Sequence, residues 1–389
     1  LFSSDFNTVT GSRISNTTGE GVRLYGGSDF NTISLSTITN DSASFSTLVI
    51  ADSSSNTVRD SYVQGSTAAI VSGSTGTVIN SSVLVATNTT GSALALQGGG
   101  SNLAMSSNTI ISGTLGAGIY LDAGSAGTLV LSTNTIRGGR YGVYVATQQA
   151  GTKVWITSNT IVLSISAVAI TYGVHLNGLL SGATIHNNGI YWRAPGTNGG
   201  GFHTVALDAI SSDGIVITGN RLSNPGMVSG LALGVGLTGT PNTIFRFNDV
   251  HSTGTAIFSA YHMRLVGSPG TRLSGNVFSS SWSVTASTAA LFVDAASQLG
   301  FVSDYNDFFS SNSSNSIEWG LTNHQFPWFA TTGRDANSIA KQPRWFNPSA
   351  GAEDFHPLSQ AGRWDGAGFV NDGYTSATID AADPVELFG

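Results

Sequence analysis

The chain has no cysteine. That excludes disulfide staples and thiolate metal sites, and it removes any inference of compartment from sulfur chemistry. Charge is nearly as scarce. Asp, Glu, Lys and Arg make up 10% of the 389 residues, against roughly 25% in an average domain, so ion pairs cannot carry the fold. Lysine occurs only at Lys153 and Lys341, and the net charge is -7. A chain without a basic stripe cannot neutralise a phosphate backbone, so no nucleic acid partner is expected. No apolar run approaches the roughly 20 residues that span a bilayer, so no membrane insertion is expected either. The sequence opens at Leu1 with no signal peptide, and Phe6-Asn7-Thr8-Val9 already reads as part of a repeat. This suggests a piece of a longer protein.

Gly, Ser, Thr and Asn fill the space between aliphatic residues, and they do so periodically. An aliphatic residue, two variable residues, Ser or Asn, one variable residue and a second apolar residue recur together. The copies are Val9/Ser12/Ile14, Ile33/Ser36/Ile38, Val58/Ser61/Val63, Val78/Ser81/Val83, Met105/Asn108/Ile110 and Leu131/Asn134/Ile136. They continue as Ile156/Asn159/Ile161, Ile185/Asn188/Ile190, Ile217/Asn220/Leu222, Phe245/Asn248/Val250, Leu273/Asn276/Phe278 and Ser303/Asn306/Phe308. The polar positions stand 20 to 32 residues apart. A period near 25 residues without a helical pattern means that each copy is one coil of short strands, which buries its apolar side only by stacking on its neighbours. The expected fold is therefore all-β: a right-handed parallel β-helix of about twelve coils over residues 1–310. The Ser/Asn position should face inward and form a ladder of side chains between coils about 4.8 Å apart, its asparagine part running from Asn108 to Asn306.

A third strand follows each motif, as in Gly142-Val143-Tyr144-Val145 and Gly173-Val174-His175-Leu176. Alignment of these strands stacks Tyr120, Tyr144 and His175 in one outward column, either a sugar-stacking surface or ordinary cross-strand aromatics. Coils seven to eleven are longer, so loops should protrude there, where function is commonly carried.

The repeat resembles that of right-handed parallel β-helix proteins of the pectin-lyase-like superfamily. Asp354-Phe355-His356-Pro357-Leu358-Ser359-Gln360-Ala361-Gly362-Arg363-Trp364-Asp365 resembles the segment that closes many secreted bacterial members of uncharacterised activity. The resemblance implies an extracellular or cell-surface location. It leaves activity open, because the superfamily holds lyases, glycoside hydrolases, epimerases, phage tailspikes and adhesins. Residues 311–389 depart from the repeat and contain Trp319, Trp328, Trp345 and Trp364. They should form an irregular Trp- and Pro-rich cap packed on the solenoid, protecting an open sheet edge.

Candidate chemistry concentrates in the long coils. His175, His186, His203, His251 and His262 lie there with Tyr191, Trp192, Arg193, Asp208 and Arg246. Counted from the ladder, His186, Thr218, Arg246 and Asp304 fall in one outward column. A glycan groove needs aromatic faces and planar polar groups, which makes Tyr120, Tyr144, His175, Tyr191, Trp192, His203 and His251 carbohydrate-binding candidates. His186, Arg193, Asp208 and Arg246 are the candidate catalytic residues. The polygalacturonase-type set is missing, since no two aspartates are adjacent anywhere. Ca²⁺ has one weak candidate site, Asp304-Tyr305-Asn306-Asp307; no metal or other cofactor is otherwise expected. Two functions are in view. One is a structural or adhesive segment of a larger secreted or cell-surface protein with glycan binding. The other is a polysaccharide lyase or glycoside hydrolase working on the middle coils. The partners expected are a polysaccharide or cell-surface glycan and, at the uncapped first coil, an upstream solenoid segment or another copy of the chain.

Overall fold

A computed structural model describes the chain except for residues 147–150, 165–169, 194–203, 225–230, 257–258, 285–286, 312–315, 350–352, 380 and 382–389. The repeat folds as a right-handed parallel β-solenoid. Each coil contributes three short strands, in the first coil Thr8–Thr10, Arg13–Asn16 and Val22–Tyr25. Equivalent strands pair in parallel, so first, second and third strands assort into three sheets. Residue contacts divide the chain into two units, Leu1–Gly189 with Ala209–Gly214, and Ile190–Asp208 with Ile215–Gly389.

In the first unit the second strands bring Ile14, Ile38, Val63, Leu84, Ile110, Ile136 and Ile161 into one register row. From Ile38 onward all are 0 or 1% exposed. In the second unit the equivalent row is Leu222, Val250, Phe278 and Phe308, and the Phe278 and Phe308 rings stack at 5.3 Å. Strands of three or four residues have no stability of their own; this continuous apolar filling between coils holds them.

Beside it runs a buried polar stack. Asn108 Nδ2 donates to Asn134 Oδ1 (2.9 Å), Asn134 to Asn159 (3.0 Å) and Asn159 to Asn188 (3.0 Å). Asn220, Asn248, Asn276 and Asn306 repeat this in the second unit. The serines of the early coils accept the same backbone N–H: Ser12 N donates to Ser36 Oγ, Ser36 N to Ser61 Oγ and Ser61 N to Ser82 Oγ. The fourth coil therefore differs from the sequence expectation by one residue. Both Val78/Ser81/Val83 and Ile79/Ser82/Leu84 satisfy the pattern, and a slip of one residue exchanges the two faces of a strand. Ile79 and Leu84 take the core at 0 and 1% exposure, Ser82 takes the stack, and Ser81 turns outward.

Ser81 belongs to a second row that the sequence pattern did not suggest. The residue before each stack position has a positive φ: Gly11, Leu35, Asp60, Ser81, Ser107, Thr133, Ser158 and Asn187 in the first unit, and Gly219, Phe247, Gly275 and Tyr305 in the second. A single left-handed residue makes the bend between first and second strands. At Leu35 and Thr133 that conformation costs of order 1–2 kcal/mol, which the buried stack beside it offsets. Further side-chain rows line the other bends of the early coils, Asn7 N to Asn31 Oδ1 and Asn31 N to Asn56 Oδ1 in one, Ser28 N to Ser53 Oγ and Ser53 N to Ser74 Oγ in another.

Parallel pairing continues past residue 310 through Ser316–Trp319, after which Thr322–Gln325 returns antiparallel. The irregular chain beyond imitates one more coil. Asp335 Oδ1 accepts from Ser303 Oγ (2.7 Å) and Asn306 Nδ2 (3.3 Å), and its Oδ2 accepts from Trp328 Nε1 (2.9 Å). Burial holds the Asp335 carboxyl above the ordinary carboxylate range, against the pull of these donors. Phe308 packs against Trp328 at 4.9 Å and Phe326 at 6.4 Å, so the last core ring is covered.

Candidate functional site

In the first unit, three consecutive third strands, Ala117–Leu121, Tyr141–Val145 and Thr171–Asn177, place aromatic rings side by side. Register pairs Tyr120 with Tyr144 and Tyr144 with His175. It also pairs Tyr141 with Tyr172. An ideal strand would turn Tyr141 and Tyr144, three residues apart, to opposite faces. Here their rings stack at 4.7 Å and 17°, because Gly142 and Val143 are both buried between them. Only glycine fits. A Cβ on Gly142 would stand 2.3 Å from Ile161 Cγ2 and 2.5 Å from the Gly173 carbonyl oxygen. Gly118 is equally confined by Ile136 and the Gly142 carbonyl.

Five rings result. Tyr141 stacks on Tyr172 at 5.3 Å and 7°; Tyr144 lies 5.3 Å from Tyr120 and 5.2 Å from His175; Tyr172 lies 4.7 Å from His175. The four tyrosines are half-buried and His175 is 8% exposed. Such pairs contribute about 0.5–1.5 kcal/mol each beyond burial, so the rings hold one another in place before any ligand arrives. Tyr120 donates its hydroxyl to Asp122 Oδ1 at 3.2 Å; burial first, and that carboxylate second, push the Tyr120 hydroxyl up. The Arg140 guanidinium sits 5.1 Å from the Tyr141 ring centroid. The expected column of Tyr120, Tyr144 and His175 is thus part of a two-column surface. Tyr141, Tyr172 and Arg140 were missed, although Tyr-Gly-Val-Tyr at 141–144 and Tyr-Gly-Val-His at 172–175 carried the signal.

The candidates of the long coils are placed differently. His186 is exposed on the first sheet of the first unit, in register with Thr157. In the second unit Thr218, Arg246, Ser274 and Asp304 form one row. Arg246 stands on a first-sheet strand, His251 on a second-sheet strand and Asp208 on a third-sheet strand, so the structure does not gather these three on one face. Asp208 is 9% exposed, and Trp192, at 1%, is a core residue. His251 lies under the C-terminal segment, edge-on to Trp345 at 5.1 Å and to Phe355 at 6.0 Å. Burial pushes its imidazole down to about 4, and that of His262 likewise to about 4. Tyr191 is half-buried; burial raises its hydroxyl, Arg221 opposes the shift, and Glu353, Asp249 and Asp354 add to it. Asp249 pairs in register with Arg221, and burial lifts its carboxyl to about 7 against the arginine. The Arg193 side chain and His203 lie outside the described residues.

Asp304 and Asp307, the carboxylates of the candidate Ca²⁺ segment, accept hydrogen bonds from the C-terminal segment. Asp304 accepts from Asn337 N (2.7 Å) and Nδ2 (2.8 Å), and Asp307 Oδ1 from Lys341 N (2.9 Å). Among the described residues no group of three or more His, Asp or Glu could hold a metal ion, and no helix is long and apolar enough to cross a membrane.

Residues 1–161 match the family model described as the right handed beta helix region. No curated protein matches the chain. Similar solved structures include the A-module of a mannuronan C-5 epimerase from Azotobacter vinelandii, 12% identical, with 85% of this chain and 88% of that one covered and a TM-score of 0.44. Tailspike protein 3 of bacteriophage CBA120 is 11% identical over 90% of this chain and 58% of that one, with a TM-score of 0.42. PfbA, a surface adhesin of Streptococcus pneumoniae, is 10% identical over 79% and 73%, with a TM-score of 0.32.

Proposed function

We propose that this right-handed parallel β-helix is a glycan-binding, adhesive segment that works at the cell surface or outside the cell, with a polysaccharide laid across the rings of Tyr120, Tyr141, Tyr144, Tyr172 and His175. The observation that carries the reading is the close-packed ring surface itself, five rings within 5.3 Å of a neighbour on a sheet face that the fold does not need to make aromatic. Rings packed this way are rigid and amphipathic, so little side-chain entropy is lost on binding. At the other end of the first unit the edge strands of the first coil and the exposed, stacked Phe6 and Phe30 rings (5.0 Å) suit docking of a further solenoid coil or a second copy.

Retardation in native gels cast with a panel of neutral and acidic polysaccharides tests the reading. At least one polysaccharide should retard the chain, and Tyr144→Ala should weaken that binding about tenfold, the equivalent of about 1.4 kcal/mol. Absence of retardation across the panel contradicts it. The enzymatic alternative has one observation in its favour, the Asp249 carboxyl held near neutrality beside Arg221, a condition suited to general acid catalysis. Release of new reducing ends or unsaturated uronates from the same panel would favour that alternative.

A further inference from the structure

In the second unit the C-terminal segment is held on the second sheet by a contact that a proton would break. The antiparallel strands Trp345–Asn347 and Asp354–Pro357 close over His251, which stands on the second-sheet strand Asp249–Ala256. Trp345 and Phe355 meet at 4.8 Å and 78°, and both rings lie edge-on to the imidazole, at 5.1 and 6.0 Å. Trp345 is 7% exposed, Phe355 2% and His251 7%. The two rings offer the imidazole no oxygen, and its Nδ1 is buried with no hydrogen-bond partner among the described residues. A neutral imidazole can leave that nitrogen without a proton. A protonated one carries N–H donors on both nitrogens, so a charged donor would lie buried without an acceptor. Burial accordingly lowers the imidazole from 6.5 to about 4, against a backbone hydrogen bond with Ser279. The charges around the contact are largely engaged elsewhere. Arg221 stands in register with Asp249. Asp354 Oδ1 accepts from His356 N (2.9 Å) and lies 2.5 Å from its Nδ1. Arg363 pairs with Asp372 at 3.2 Å, and Arg344 lies over the Tyr374 ring at 4.4 Å. Glu353 acts on the Tyr191 hydroxyl, and its Oε1 is buried with no partner among the described residues. His262, on the third strand Ser259–Val266, is lowered by burial first and by His251 as well, so a proton on either imidazole opposes one on the other.

We propose that this pair of strands is an acid-released strap: it lies docked on the second sheet at neutral pH, and protonation of His251 frees it, uncovering Trp345, Phe355 and the sheet face beneath. The strap goes beyond the glycan-binding reading and does not depend on it. An imidazole that is neutral when docked and free to protonate when released gives docking that is complete above about 6.5 and is lost as pH falls toward 4. Asp249 acts with the opposite sign, because burial raises its carboxyl to about 7 and a proton there favours the docked state. Asp249 is, however, half-exposed beside Arg221, so release changes its surroundings less than those of the enclosed imidazole, and the histidine decides the direction.

Hydrogen–deuterium exchange of the whole chain at pH 7.5 and pH 5.0, with labelling times scaled for the intrinsic dependence of exchange on pH, tests it. Protection of residues 353–358, including the Leu358 amide that donates to the Arg344 carbonyl (2.9 Å), should fall at least tenfold at pH 5.0, because the docked and free imidazole values together imply about 30-fold. The strands flanking the Asn220 to Asn306 stack should keep theirs. In His251→Phe, which retains an aromatic ring against Trp345 and Phe355, the acid loss should disappear. Unchanged protection of the segment at pH 5.0 overturns the strap, and increased protection overturns it in favour of control by Asp249. Equal loss from the solenoid strands means acid unfolding of the whole unit and overturns a separate strap. Loss undiminished in His251→Phe overturns the assignment to that residue. The wild-type comparison needs no variant to fold.

Discussion

Asn159 illustrates how single polar residues hold this fold. Its Oδ1 accepts from the backbone N and the side-chain Nδ2 of Asn134 (2.9 and 3.0 Å), and its own Nδ2 donates to the Leu131 and Thr157 carbonyls and to Asn188 Oδ1. At 1% exposure water cannot replace any of these. Asn159→Leu has nearly the right volume, but it leaves the Asn134 donors and the Leu131 carbonyl to find other partners, at a cost of about 1–3 kcal/mol. Urea denaturation should show the midpoint falling accordingly, and Asn159→Ser, which keeps an acceptor, should lose less. An unchanged midpoint for the leucine variant would contradict the role assigned to the stack. The same scale explains the fourth-coil error: Ser81 and Ser82 are chemically identical, and only the packing of Ile79 and Leu84 decides which of them turns inward.

At the scale of the strand, the ring surface depends on glycines rather than on the rings. Gly142 lets the backbone place two successive residues, itself and Val143, inward, so that Tyr141 and Tyr144 share the outward face. Gly142→Val would force a side chain against Ile161 and the Gly173 carbonyl. Overpacking of this kind costs about 1–3 kcal/mol, and relief requires the strand to shift. The expected outcome is a lower thermal midpoint together with loss of polysaccharide retardation; retention of full binding would mean that the ring geometry does not rest on this close approach. Period-two alternation was legible over most strands, which is why the core rows could be read from the sequence. It failed at 141–144 because an irregular strand breaks the alternation, so Tyr141 and Tyr172 were not counted with Tyr144 and His175. The left-handed row was illegible for another reason. Leu35, Thr133, Phe247 and Tyr305 occupy a conformation that glycine usually marks, and tertiary packing overrides their local preference.

For the molecule as a whole, scarcity of charge is matched by bends lined with stacks of amides, hydroxyls and backbone groups in place of ion pairs. Where an ion pair is nearly buried, as between Arg363 and Asp372 at 3.2 Å, it lies in the C-terminal segment outside the repeat. The repeat itself was readable because every copy must bury its apolar side on the next. The long-coil candidates were not, because His, Arg and Asp close in sequence fall on three different sheets, as Arg246, His251 and Asp208 do. That leaves the ring surface as the central claim, and hydroxyl-radical footprinting with and without a bound oligosaccharide tests it most directly. Tyr120, Tyr141, Tyr144 and Tyr172 should be protected together, while Tyr25, Tyr62 and Tyr374 keep their reactivity. Protection elsewhere, with these four tyrosines unchanged by a ligand that binds, would contradict the account.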